Sequence, residues 1–243
     1  MAILRKECPW DRKQTHQSIK ENLIEEAYEA VEAIENEDYD ELSRELGDLL
    51  LHVVFHSKMA DENDKFDIGD VIYRISEKLI RRHPHIFSDT EVENEKEVAE
   101  NWETIKLKEG RESLLDGIPK HLPGLIKAQR MQEKAANVGF DWEDWTLAWE
   151  KLNEEFDEWR EAIHHQSKEK QAEEFGDLLF SLVNVGRLLD LNAENSVQKT
   201  NKKFSHRFRY IEKKLKEQDR TLTQADLQEM DTYWNEAKEK GKM

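Results

Sequence analysis

The chain has 243 residues, enough for one large domain or two of about 120. Its 37 Lys and Arg against 54 Asp and Glu leave a formal charge of −17, which repels nucleic acid and anionic membranes and removes both from the expected partners. One cysteine excludes an internal disulfide framework, and no apolar run is long enough for a signal peptide or a membrane span, so a cytoplasmic protein is expected. Only 9 Gly and 4 Pro interrupt a chain rich in Glu, Lys, Leu and Ala, side chains that lose little rotamer freedom in a helix. The 7 Trp and 9 Phe supply surface to bury, which argues against disorder.

In chain order, Cys8-Pro9-Trp10-Asp11 reads as a loop with a structural thiol. Apolar periodicity then predicts helices over 15–36, 38–62, 68–82 and 94–109. A cluster of Gly and Pro from Gly110 to Gly124 marks a linker, and further helices are expected over 125–137, 144–164, 168–190, 193–217 and 223–240. The expected organisation is therefore all-α, with an N-terminal module at 1–110, a linker at 111–124 and a C-terminal module at 125–243. Each module is expected to be four-helix-bundle-like.

The two modules carry one pattern twice. Glu25-Glu26-x-x-Glu29 is followed, sixteen residues after its last Glu, by Glu45-Leu-Gly-Asp48. Glu154-Glu155-x-x-Glu158 is followed at the same offset by Glu174-Phe-Gly-Asp177. Downstream, Lys78 and Arg82 answer to Lys203 and Arg207, and Trp102 and Lys106 to Trp234 and Lys238. On a helical wheel Ile19, Leu23, Ala27, Ala30 and Ile34 form an apolar stripe with Glu26 and Glu29 at its edge. Leu42, Leu46, Leu49 and Val53 do the same beside Glu45 and Asp48. Leu152, Phe156, Trp159 and Ile163 flank Glu155 and Glu158, and Phe175, Leu178 and Leu182 flank Glu174 and Asp177. Antiparallel packing across each short connection gathers up to four carboxylates, whose repulsion calls for a bound cation. Oxygen-only ligands favour Mg²⁺, with Mn²⁺ as a substitute, and such ions turn an acidic groove into a polyphosphate receptor. A single E-x-x-E on so acidic a chain is most often a solvated face; the duplication at equal phase and offset is what lifts these pairs above that reading. Gly47 and Gly176, each costing about 1 kcal/mol relative to Ala in a helix, point to a tight helix crossing beside each site. Lys78, Arg82, Lys203 and Arg207 are candidate phosphate ligands by position, and His52 and His56 read as partly buried neutral histidines.

E-E-x-x-E followed by E-x-G-D, duplicated, with C-P-W-D at 8–11, R-R-H-P-H-I-F at 81–87 and N-V-G-F-D-W at 137–142, resembles the MazG family of nucleoside triphosphate pyrophosphohydrolases in its tandem-domain form. The resemblance covers nearly the whole chain. It implies an all-α pyrophosphatase fold, a homodimer, and Mg²⁺-dependent hydrolysis of canonical or non-canonical nucleoside triphosphates to monophosphate and pyrophosphate. It further implies a place in nucleotide house-cleaning or alarmone control. The family's C-terminal metal ligands match Glu155, Glu158, Glu174 and Asp177. Its nucleotide contacts match Lys151, Lys170, Glu173, Lys203, Arg207, Trp234 and Lys238. The N-terminal module keeps Glu26, Glu29, Glu45 and Asp48, a second candidate metal site, with Lys78 and Arg82 as its phosphate contacts. It departs from the pattern at Asn22 and Glu41, which stand where the C-terminal module has Lys151 and Lys170, and at Ser76 in place of Asn201.

The expected chemistry is attack of metal-activated water on the α-phosphorus, with Glu173 orienting or deprotonating the water and Glu174 among the metal ligands. The C-terminal module is the expected main catalyst. A di-iron bundle would need a His three residues after Glu155 or Glu174, and the chain has none there. An acidic helical scaffold or regulatory protein without turnover is the non-enzymatic alternative.

Overall fold

The computed structural model describes residues 1–88 and 113–240, together with 90, 92, 94, 97, 98, 101, 102, 105 and 109. Lys106 and Gly110, Arg111 and Glu112 of the expected linker lie outside the described residues, as does much of the helix expected over 94–109. The protein is all-α; no strand occurs among the described residues.

Two compact units divide the chain, Met1–Glu93 and Asn94–Met243. The first contains α1 (Ala2–Glu7), α2 (Lys20–Glu35), α3 (Tyr39–Asp61), α4 (Ile68–Arg82) and the short α5 (Pro84–Phe87). The second contains α6 (Gly124–Ala136), α7 (Trp145–His165), α8 (Lys168–Leu188), α9 (Ala193–Lys216) and α10 (Leu227–Lys240). In the first unit α2 packs on α3, and α3 on α4. In the second, α7 packs on α8, α6 lies against α8 and α9, and α9 pairs with α10.

Helix starts follow from side-chain caps. Asp38, Ser167 and Asn192 accept hydrogen bonds from backbone N–H groups of the first turns of α3, α8 and α9. Asp67 and Asp70 form a reciprocal capping box at α4. α2 begins five residues later than expected because Thr15 and Ser18 satisfy each other's backbone N–H through their hydroxyls, holding 16–19 in turns.

The buried faces differ from the expected stripes. Ile19, Ala30 and Ala33 are buried in the first unit, whereas Leu23 and Ile34 are exposed. α3 buries Glu45, His52, Phe55 and Met59 while Leu46 and Val53 face solvent. In the second unit Leu152 and Val185 are buried with Ala148, but Phe156, Ile163, Phe175 and Leu182 are exposed. Small residues are among the most buried on the acid-bearing helices, Ala30 and Ala33 on α2 and Ala148 and Ala162 on α7, with Ala148 packed against Val185 of α8. Of the acids, Glu45, Glu155 and Glu174 are buried, whereas Glu29, Glu158 and Asp177 are exposed. The expected tight crossing at Gly47 and Gly176 is absent: a Cβ built at either position meets nothing within 4 Å.

Candidate metal centres

In the second unit, α7 carries Glu155 and α8 carries Glu174 and Asp177 into one place. One ligand oxygen from each lies within 4.8 Å of the others. Glu155 and Glu174 are buried, and Asp177 is open to solvent. Partial desolvation where its carboxyl meets the helix seam, and then the negative charges of Glu155 and Glu174, raise the Asp177 carboxyl above its usual range. Glu158 stands outside this trio, on an open groove of α7 shared with Glu154, Asp157, Glu161 and His164.

Two lysines neutralise the buried acids. Lys151 Nζ lies 2.8 Å from Glu155 and 2.7 Å from Glu154; Lys170 Nζ lies 2.8 Å from Glu174 and 3.1 Å from Glu173. These hydrogen bonds hold both ammonium groups well above their ordinary pKa. Beside the trio opens a cleft of about 220 Å³ lined by Trp142, Lys151, Glu155, Asp177, Phe180 and Asn184. Phe180 and Asn184 escaped the sequence reading, although they follow Asp177 at helical spacings of three and seven.

Lys203, Arg207, Trp234 and Lys238 lie on the α9–α10 hairpin. The Arg207 guanidinium sits 5.3 Å over the Trp234 ring, against which Phe204 also packs. Among the described residues, none of the four makes a hydrogen bond or ion pair with the trio.

In the first unit Glu26 and Glu29 on α2 meet Glu45 on α3 under the same 4.8 Å limit. Asp48 falls outside this trio but lies close enough to raise the Glu26 carboxyl, after burial itself. Glu45 is raised by burial and then by Glu29 and Glu41. Among the described residues no lysine pairs with these acids; Asn22 and Glu41 occupy the corresponding places. Lys78 lines an open cleft with Phe66, Val71, Arg74 and Ile75, and Arg82 ends α4. His52 is buried and His56 half-buried. Burial and the neighbouring His16 and His52 push His56 down, and its Nδ1 lies 2.7 Å from that of His16, so one ring donates to the other.

Both trios suit a hard divalent cation. Their donors are all carboxylate oxygens, close enough to share one ion, and their mutual repulsion is what such an ion would relieve.

A family model for the MazG nucleotide pyrophosphohydrolase domain matches residues 14–87 and again 146–211. The chain is 45% identical over 239 residues to an Escherichia coli (strain K12) protein named nucleoside triphosphate pyrophosphohydrolase, covering 95% of this chain and 90% of that one. A Thermotoga maritima protein named nucleoside triphosphate pyrophosphohydrolase/pyrophosphatase MazG is 44% identical over 234 residues, covering 95% of this chain and 89% of its own. A longer Bacillus subtilis protein, YabN, is 50% identical over 239 residues, 96% of this chain and 48% of its own length.

Proposed function

The chain belongs to the MazG nucleotide pyrophosphohydrolase family, and we propose that it hydrolyses nucleoside triphosphates to monophosphate and pyrophosphate with Mg²⁺, chiefly in its C-terminal module. The observation that carries this reading is the trio of buried Glu155 and Glu174 with exposed Asp177, flanked by Lys151 and Lys170. An acidic scaffold has no need to bury carboxylates in a helix seam and align cations over them.

Glu155, Glu174 and Asp177 would hold the ion, with Glu158 as a further ligand from the same helix. Bound there, Mg²⁺ (or Mn²⁺) would supply charge neutralisation and activation of water. Glu173, one residue from the trio and exposed beside it, would orient or take the proton from the attacking water. The water oxygen bonds to the α-phosphorus, the bridging α–β oxygen departs with pyrophosphate, and the monophosphate retains the new oxygen. Lys151 and Lys170 would bind the phosphates, and Lys203, Arg207, Trp234 and Lys238 would contact nucleotide across the hairpin. Glu26, Glu29, Glu45 and Asp48, with Lys78 and Arg82, form the weaker second site, because Asn22 and Glu41 leave it short of positive charge.

We further propose a homodimer. Leu46, Leu50, Phe175 and Leu182 are among the large apolar residues left on the surface of the acid-bearing helices, and a second copy would cover them. The domain division at 1–110, 111–124 and 125–243 is proposed with it.

The test is product identification after incubation with each NTP and dNTP, canonical and oxidised, with and without Mg²⁺. Monophosphate and pyrophosphate only with metal is expected. Diphosphate and orthophosphate, or no turnover, would contradict the proposal.

A further inference from the structure

Two of the three acids in the C-terminal trio already carry a cation of the protein's own. Lys151 and Lys170 each precede a buried glutamate by one helical turn, Glu155 and Glu174, on two different helices. The lysines therefore reach the trio from both of its walls. Their side chains are 39% and 40% exposed, against 9% and 10% for the glutamates they hold, so the ammonium groups can leave while the carboxylates stay. Each has a second acid outside the trio, Glu154 or Glu173, as an alternative partner. The N-terminal trio is the internal comparison: Glu26 and Glu45 answer to Glu155 and Glu174, with Glu29 as its third acid, and Asn22 and Glu41 stand in the lysine places.

We propose that Lys151 and Lys170 are exchangeable counter-ions of the C-terminal centre. They neutralise Glu155 and Glu174 until a divalent cation enters, and they are then surrendered to the polyphosphate. The inference rests on the reading of this trio as a divalent-cation site. A divalent cation and an ammonium group compete for the same carboxylate oxygens, so the lysines lower the affinity of the empty centre for metal. A triphosphate gives the lysines other anions and removes the competition. Metal and nucleotide binding at this module are consequently cooperative, and by linkage each strengthens the other by the same factor. The N-terminal trio has no such requirement and takes metal without nucleotide.

A merely structural ion pair makes the opposite prediction, since losing it would loosen the site and weaken metal binding. The test is Mn²⁺ titration of the full-length protein, followed by electron paramagnetic resonance, with and without α,β-methylene-ATP. Glu45→Gln in every sample silences the N-terminal trio. Without nucleotide, the Lys151→Met/Lys170→Met protein is expected to bind Mn²⁺ about tenfold more tightly than its parent. Nucleotide should tighten Mn²⁺ binding by about 5–150-fold in the parent and by clearly less in the double variant. Lys151→Arg/Lys170→Arg keeps the charge and should behave as the parent. Each single Met variant, expected to tighten binding by about threefold, carries the test should the double variant fail to fold. Equal or weaker Mn²⁺ affinity in the Met variants, at a trio that still binds the ion, overturns the counter-ion role alone. No Mn²⁺ at the trio in any protein, with or without nucleotide, overturns the cation-site reading and this inference with it.

Discussion

Arg5 shows how much a single side chain holds in this protein. Its guanidinium bonds both oxygens of Glu62 at the end of α3 and the backbone carbonyls of Asp11 and Gln14, and it lies 5.7 Å over the Phe55 ring. That hydrogen bonding holds the Glu62 carboxyl below the usual carboxylate range. A carboxyl depressed in the folded state stabilises above its unfolded pKa and loses that contribution as pH falls through the folded value. Glu62→Gln is therefore expected to cost about 1 kcal/mol near neutral pH. Chemical denaturation along a pH series should show the gap closing below about pH 4; a gap that widens toward acid would contradict the assignment. Glu173 belongs to the same scale. As the group that handles the water's proton, its replacement by Gln should lower kcat by about 10²–10⁴-fold with the melting temperature unchanged, and an unchanged kcat would remove it from the chemistry. Spacing pointed to four acids in each module, but the structure gathers three of each: Asp48, three residues after Glu45, and Glu158, three after Glu155, stand outside the trios. Depth was not legible from spacing. Glu45, Glu155 and Glu174 are buried where two helices pack together, a property of the pair that one helical wheel does not contain.

The elements were legible where local chemistry decides them. The expected starts at 38, 68, 168 and 193 fall within one residue of those of α3, α4, α8 and α9, which Asp38, Asp67, Ser167 and Asn192 cap. The expected ends of the described helices fall within two residues of those seen, although acidic residues take the left-handed place that usually belongs to glycine. Glu37, Asp64, Asp190 and Asp219 have φ of 54–57°. After each, the next backbone N–H bonds a carbonyl five residues back, as in Asp38 to Ala33 and Leu191 to Gly186. Gly139, with φ 84°, is the glycine that does the same. A left-handed conformation costs a residue with a Cβ about 1–2 kcal/mol. Glu37→Gly is thus expected to raise the stability of the first unit by about 1 kcal/mol, read as a higher denaturation midpoint. A lower midpoint would mean that the Glu37 side chain holds something the backbone pattern does not reveal. α1 and α5 went unpredicted because six and four residues carry too little periodicity to register.

At the scale of the whole molecule, the duplicated sequence has become two units with the same acid-bearing helix pair and different electrostatics. The C-terminal pair is neutralised by lysines and, among the described residues, the N-terminal pair is not, a difference visible in the sequence at Asn22 and Glu41 once the two copies are aligned. Leu46, Leu50, Phe175 and Leu182 are exposed, and on the proposed dimer a second copy would cover them, which the pattern of one chain does not spell out. Sedimentation of the purified protein is expected to give a dimer, and Leu50→Glu together with Leu182→Glu should shift it toward monomer; a wild-type monomer would contradict that assembly. The assignment of turnover to the C-terminal trio is tested most directly by pyrophosphate release with Mg²⁺ from three proteins: wild type, Glu174→Gln and Glu45→Gln. Loss of turnover by about a thousandfold or more in Glu174→Gln, with most of the rate kept in Glu45→Gln, is the expected result. Full activity in Glu174→Gln, or its loss in Glu45→Gln alone, would place the chemistry in the other module.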